Sequence, residues 1–498
     1  MGAILDYLLT LAFAAVVVLV PAAGVWVASS LAVYQGGPTW LAVVSGALLF
    51  PVLPLLWERW AEARRRRKAV EGKRLLGFGG RLVARTLALN VLFLALLLGL
   101  YPAASFAALS ARGDWFLEGR TGDLAVVARA VLFRTAGALE GLYRTVRKNR
   151  FEEAIAEGAV RPAGEAKPEP LPVEPAPSAS TPTTPAPGTG GASGSAGLVR
   201  GAVVPGGAPL WPLPDRLHPL AVEIPAAEET SPAAVARWIA ARERDPWQRV
   251  KALHDWVADR IAYDADSYFS RDLPPQDADT VFRRRTAVCA GYANLLAAMG
   301  AAAGEEIVVV PGDARNDGAD LTGEGHAWSA ARIGGRWTLL DATWDAGYLK
   351  DRRFVKRYRT SYLFVPPAVI GVTHFPEEPS WQLRDPLLTR GEFFRQPVLK
   401  AGFFAEGLSL VTPSRSQVTV EGELPVELLN PRGRFLLADF VAEEGDAKGD
   451  CEVSNGAEPR VGCRFPAPGS YRVRLFVGPE LYGHYDGVGE LLVVNRGG

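Results

Sequence analysis

The hydrophobic positions of this chain follow three different rhythms. Over the first 110 residues they form long, nearly uncharged runs: 8–33, 40–57 and 83–109. The first is long enough to cross a bilayer. The second is shorter, carries Pro51 and Pro54, and is edged by Trp40, Trp57 and Trp60 like an interfacial aromatic belt. In the middle of the chain the apolar positions take helical spacing. Ser231-Pro232 and Asp245-Pro246 each pair a cap residue with a first-turn proline, and Trp247, Val250, Leu253, Val257 and Ile261 form a stripe behind the second. Tyr292, Leu295, Leu296 and Met299 continue a helix that opens at Cys289 and closes at Gly304. HAWSAARI and RWTLLDATW follow, joined by Gly334-Gly335 as a two-residue hairpin turn. From Val398 onward the rhythm is alternation in short runs between Gly/Pro turns, as at Tyr471, Val473, Leu475 and Val477.

These rhythms predict an N-terminal α-helical transmembrane region over 1–110, an α+β domain over 210–397, and an all-β sandwich, immunoglobulin-like in outline, over 398–498. Between the first two lie an amphipathic segment, 111–160, and a linker, 161–209. In the amphipathic segment Leu124, Val127, Val131, Leu139 and Leu142 oppose Arg129, Glu140, Arg144 and Arg147, which suits a membrane surface or packing under the soluble part equally. The linker is dominated by Pro, Ala, Gly, Ser and Thr and cannot bury enough apolar surface to fold, so it reads as a spacer.

Charge adds sidedness. The formal net charge is zero, which gives no global argument for nucleic acid. Locally, ERWAEARRRRKAVEGKR separates the second and third runs, whereas the first connection, YQGGPT, carries no charge. Positive residues stay in the cytoplasm, so this loop lies inside and everything after the third run lies outside the cytoplasmic membrane. That orientation holds whether the first run is a span or a cleaved signal. Arg85, near one end of the third run, can snorkel. At 498 residues and 48% hydrophobic content the chain holds more than one core. Of three cysteines, Cys451 and Cys463 flank a hairpin-like EVSNGAEPRVG; they form a disulfide in an oxidising compartment or stand as two separate thiols.

Cys289 is then the odd thiol. At a helix N-terminus, unpaired N–H groups and the dipole favour thiolate over thiol. With Ile333 facing Arg336 across the turn, His326 would face Thr343 and Asp341 would face Trp328. His326 and Asp341 are then diagonal neighbours on one sheet face, within side-chain reach. Singly, a buried thiol, a structural strand histidine and a turn aspartate are the ordinary readings. In this order they fit nucleophile, general base and orienter: Cys289, His326, Asp341. No CxxC or HxxxH spacing supports a metal, and no cofactor is implied. The Cys289 backbone N–H supplies one oxyanion donor, and the sequence leaves the second unassigned. His254 sits beside an apolar stripe as a core histidine. His484 with Asp486 reads as a turn.

VCAGYANLL, GHAW and WTLLDATWD resemble the three motifs of the transglutaminase-like superfamily, a papain-related thiol fold with triad order Cys, His, Asp. SYLFVPPAVIGVTHFPEEPSWQL resembles the kyphoscoliosis-peptidase-like branch, in which an HFP…WQL element follows the core. Carried over by position, the resemblance implies that Cys289 is the nucleophile, His326 the base and Asp341 the orienter, and that the helix opened by Asp245-Pro246 packs near the active site, with Trp256 or Tyr263 to line the cleft. His374 within that element is a clamp as readily as a catalytic group and stays outside the triad. Ala287 and Ala290 stand where the family often has Gly and Gln. The expectation is a membrane-anchored thiol enzyme acting outside the cytoplasm, through an acyl-enzyme, on protein or peptide amides. It is a cysteine peptidase or amidase if water resolves the intermediate and a protein-glutamine acyltransferase (transglutaminase) if an amine does. The alternative is a non-catalytic envelope binding or assembly module that retains the fold. Partners would be a protein or peptide substrate, possibly of the cell envelope, and membrane lipid.

Overall fold

A computed structural model describes residues 2–37, 39–67, 76–120, 122–158, 207–316 and 321–497. The linker expected over 161–209 lies outside the described residues except for its last three, as does part of the basic loop. Three helices are long and apolar enough to cross a membrane: Ala14–Tyr34, Trp40–Arg67 and Phe78–Leu100. The second carries a π-helical stretch, Leu48–Val52, around Pro51. Asn90, buried on the third helix, donates to the Leu49 carbonyl at 3.3 Å and so ties the helices together. Arg85 does not snorkel alone. It pairs with Glu58 of the second helix at 2.8 Å, and Arg81 pairs with the same carboxylate at 2.8 Å.

The apolar run expected over 83–109 divides in two. The helix ends at Leu100, and Pro102, which suits a first turn, starts a separate helix, Pro102–Arg112. That second helix is buried almost throughout, inside protein. Phe106 packs with Tyr143, Phe375, Phe393 and Phe394 in one cluster. The stretch 123–150, whose apolar pattern reads as one amphipathic helix, is likewise two helices, Asp123–Gly137 and Glu140–Val146, separated by Ala138 and Leu139. Leu124, Val127 and Val131 of the first are exposed.

The α+β domain packs the Cys289–Ala303 helix between the Pro232–Ala240 and Pro246–Arg260 helices and an antiparallel sheet. Ser231 and Asp245 cap the latter two through their side chains, each followed by proline. The sheet has four strands in the order Arg336–Leu340, Glu324–Ile333, Glu306–Ala314, His374–Pro376. Ile333 faces Arg336 across the glycine turn, and pairing runs to Ser329 opposite Leu340. There it stops. Asp341 leaves the strand to cap a short helix, Ala342–Ala346, so Thr343 does not come to face His326.

The C-terminal region is two antiparallel-rich sheets around one core that includes Phe403, Val426, Val461, Val473 and Leu491. One sheet orders its strands 409–412, 423–429, 460–464, 452–454. The other runs 417–420, 486–495, 469–478, 435–442, 448–450, and its first pair is parallel. Cys451 and Cys463 are joined by a disulfide within the core of this sandwich. The sandwich is docked on the segment that follows the third apolar helix. Asp114, fully buried, accepts from Arg415 at 2.8 and 3.1 Å and from Arg129 at 3.0 Å, and Arg112 donates to the Gln417 carbonyl and the Thr419 hydroxyl.

Candidate active site

Cys289 begins its helix behind Val288, whose extended backbone lets the chain turn sharply into the first turn. The Val288 side chain makes no cap there, and the Val288 N–H is instead held by the Gln276 side-chain oxygen Oε1 at 3.0 Å. Gln276 is buried directly against Gly291. A Cβ on Gly291 would stand 2.5 Å from the glutamine oxygen and 2.6 Å from the Ala287 methyl, so only glycine fits the approach.

His326 sits on one of the two central strands with Nε2 2.7 Å from Asp341 Oδ2, and the Cys289 sulfur lies near enough to favour a charge on the ring. Because Nε2 is engaged by the carboxylate, Nδ1 is the ring nitrogen that remains to exchange a proton with the sulfur. Burial opposes a charge on the ring, but the Asp341 carboxylate and the Cys289 sulfur beside it prevail, and its pKa is pushed up to about 10. Burial acts against the Asp341 anion too. Its two histidine neighbours nevertheless hold the carboxyl well below the usual carboxylate range.

Asp341 uses both oxygens. Oδ1 accepts the Thr343 and Trp344 N–H groups as an N-cap, at 2.8 and 3.2 Å. Oδ2 accepts from His326 and, at 3.2 Å, from His374. The turn role and the orienting position thus belong to one side chain. His374 is therefore a part of this constellation that sequence reasoning set aside. Its Nδ1 accepts from the Thr373 hydroxyl at 2.9 Å, and its ring packs among Trp328, Trp344 and Tyr362. Burial, ahead of the opposing pull of Asp341, lowers its pKa to about 4, so this ring is neutral near pH 7 and donates through Nε2. Ligand atoms of His326, Asp341 and His374 lie within 4.8 Å of one another. The 2.7 and 3.2 Å separations are those of hydrogen bonds, which account for the cluster without an ion.

A cleft of about 1590 Å³ opens onto His326 and Trp344, and its far wall is formed by the sandwich. Tyr263 lines it, whereas Trp256 is buried and stacks on Phe282 with ring centroids 5.4 Å apart. Burial and the adjacent Cys289 sulfur raise the Tyr263 phenol well above its ordinary pKa, so it stays protonated beside the thiol. His254 is in the core, between Asp255 at 3.1 Å and Asp345 at 3.3 Å. His484 and Asp486 lie 3.1 Å apart on the cleft rim.

The sequence reading requires a reachable thiol. Cys289 is instead fully buried, in a cluster with Phe151, Ala154, Val288, Ala290, Ala293 and Ala327. Two of those residues, Phe151 and Ala154, come from the stretch that precedes the linker.

Residues 233–342 match the family model of the Transglutaminase-like superfamily. The chain carries a transglutaminase-like domain. It is 30% identical over 189 residues to the kyphoscoliosis peptidases of Mus musculus and Homo sapiens, which places the domain in that branch. The match covers 36% of this chain and 29% of each relative, so the chain spans under a third of their length. Red sea bream transglutaminase is 12% identical over 56% of this chain and 57% of its own, with a TM-score of 0.22, too low to bear on the fold. The transglutaminase-like domain is fused here to three long apolar helices and a C-terminal all-β region.

Proposed function

We propose that this protein is a membrane-anchored thiol acyl-transfer enzyme whose Cys289, His326 and Asp341 cleave peptide or glutamine amides outside the cytoplasm. The observation that carries the reading is His326, bonded to Asp341 through Nε2 with the Cys289 sulfur close to its ring. With the proton held on the imidazole, the sulfur attacks the amide carbonyl carbon as a thiolate. The tetrahedral oxyanion sits at the helix N-terminus, near the Cys289 N–H, with the protonated Tyr263 hydroxyl as a second donor. His326 then gives its proton to the departing amine, leaving a thioester. Water resolves that thioester in a peptidase or amidase, and an amine resolves it in a transglutaminase. The external setting rests on the basic loop after the second apolar helix and on the Cys451–Cys463 disulfide, which persists where the milieu oxidises.

The deciding experiment is mass spectrometry of envelope proteins and peptides from cells carrying the wild-type chain or Cys289→Ala. New chain ends that depend on Cys289 indicate hydrolysis, and isopeptide links that depend on it indicate crosslinking. Indistinguishable spectra would favour a second reading, a binding or assembly module, whose support is the fully covered thiol.

A further inference from the structure

The stretch 147–158, immediately before the linker, threads through the site as a bound peptide would. Asn149 donates to the carbonyls of Gly312 at 3.1 Å and His326 at 2.9 Å, on the two central strands. Gly325 makes the approach possible, because a Cβ there would stand 2.6 Å from the Asn149 oxygen and 3.1 Å from the Arg150 nitrogen. Arg150 lies over the Tyr268 ring at 4.0 Å and pairs with Glu324 at 3.2 Å, while Arg147 bonds the Thr322 hydroxyl at 2.8 Å. Phe151, 2% exposed, fills the apolar space above Cys289. The Glu152–Gly158 helix then follows the nucleophile helix, where Asn294 donates to the Ala154 carbonyl at 2.9 Å. Three features of a peptide site gather around 149–151: backbone carbonyls satisfied by a side-chain amide, an aromatic shelf and an acid for a cation, and an apolar pocket beside Cys289.

We propose that residues 147–158 are a built-in pseudosubstrate, and that the groove they occupy takes substrate peptides carrying an Arg directly before a Phe. This rests on the thiol-enzyme reading for what happens to such a peptide, but occupancy of the groove is tested without catalysis. Burial of Cys289 is then a property of the resting chain, relieved when a peptide of the same chemistry displaces the segment.

The test is the rate at which iodoacetamide alkylates Cys289 in the full chain held in lipid nanodiscs, read by intact mass. The double variant Arg150→Glu/Phe151→Ala is expected to react roughly tenfold faster or more than wild type. Glu324→Arg, which breaks the same pair from the exposed rim, is expected to give the same direction with the segment itself unaltered. Adding the free peptide VRKNRFEEAIAE to the double variant restores slow alkylation, whereas the same peptide with Ala for its Arg and Phe pair does not. Unchanged alkylation in both variants, or equal protection by the two peptides, overturns the proposal. Faster alkylation with no Cys289-dependent product in cells would instead retain the groove and remove the enzyme reading.

Discussion

His326 and His374 share one carboxylate oxygen but are held in opposite protonation states. His326 faces both Asp341 and the Cys289 sulfur, and the two outweigh burial. His374 has Asp341 alone, packed among aromatic rings, and burial wins. The consequence is an asymmetric pair, a charged ring at the thiol and a neutral one behind the carboxylate. Stability should register the charged histidines. His326 and His254 titrate near 10 and 9 in the folded chain against 6.5 ordinarily. A raised pKa means that the folded state binds the proton more tightly than the unfolded state, so this contribution is complete below about pH 6.5 and disappears as pH rises through 9 and 10. The thermal midpoint of the purified chain should therefore fall steadily between about pH 6.5 and 10. A flat or rising midpoint over that window would contradict the assignment of two buried imidazolium ions.

Among the elements, the nucleophile helix depends on what sits beneath its first turn. Gly291→Ala places a methyl into Gln276, Ala287 and Val281, and an overpacked contact of this kind costs about 1–3 kcal/mol. Urea unfolding should show that loss, and an unchanged midpoint would mean that Gln276 is free to move. The hairpin beside this helix was legible because a glycine pair fixes register and side chains then alternate, which sets Ile333 against Arg336. The strand's end was not legible, since nothing in LLDATW distinguishes a further strand residue from an Asp that caps a helix. His374 lies 33 residues beyond Asp341 and reaches it through an edge strand, a pairing that local pattern does not encode. Phe151 was hidden for a stronger reason. It lies 138 positions before Cys289 (289 − 151), beyond the linker, and its apolar character alone does not say which surface it covers. The third apolar run misled in its length because the Ala-rich stretch 102–109 continues it without a charge, while Pro102 marks the break.

For the whole molecule, the soluble regions gather at one end of the apolar helices. Trp26 donates to the Gly113 carbonyl, and Arg112, Asp114 and Arg395 link the helix after the third apolar one to the sandwich and the α+β domain. Arg64 to Arg67 stand at the C-terminal end of the second apolar helix, and the third begins at Phe78. If the exposed apolar residues Leu124, Val127 and Val131 meet lipid, as the proposed anchoring requires, the cleft at His326 is held close to the membrane surface. The proposed orientation makes a direct prediction. A cysteine placed at Tyr482, 91% exposed on the sandwich, should be labelled in intact cells by a membrane-impermeant maleimide, whereas one at Arg66 should react only after permeabilisation. The reverse pattern would place the enzyme in the cytoplasm.

Chemistry at Cys289 is the claim on which function depends, and Asp341→Asn addresses it while keeping an oxygen to cap the helix at Thr343 and Trp344. The measurement is the iodoacetamide rate at Cys289 near pH 7 in the full chain, wild type against this variant, with folding checked by circular dichroism. Loss of the carboxylate charge removes what steadies the His326 imidazolium, and alkylation should slow by roughly tenfold to a hundredfold. An Asp341→Asn chain that folds and reacts as fast as wild type would contradict the account.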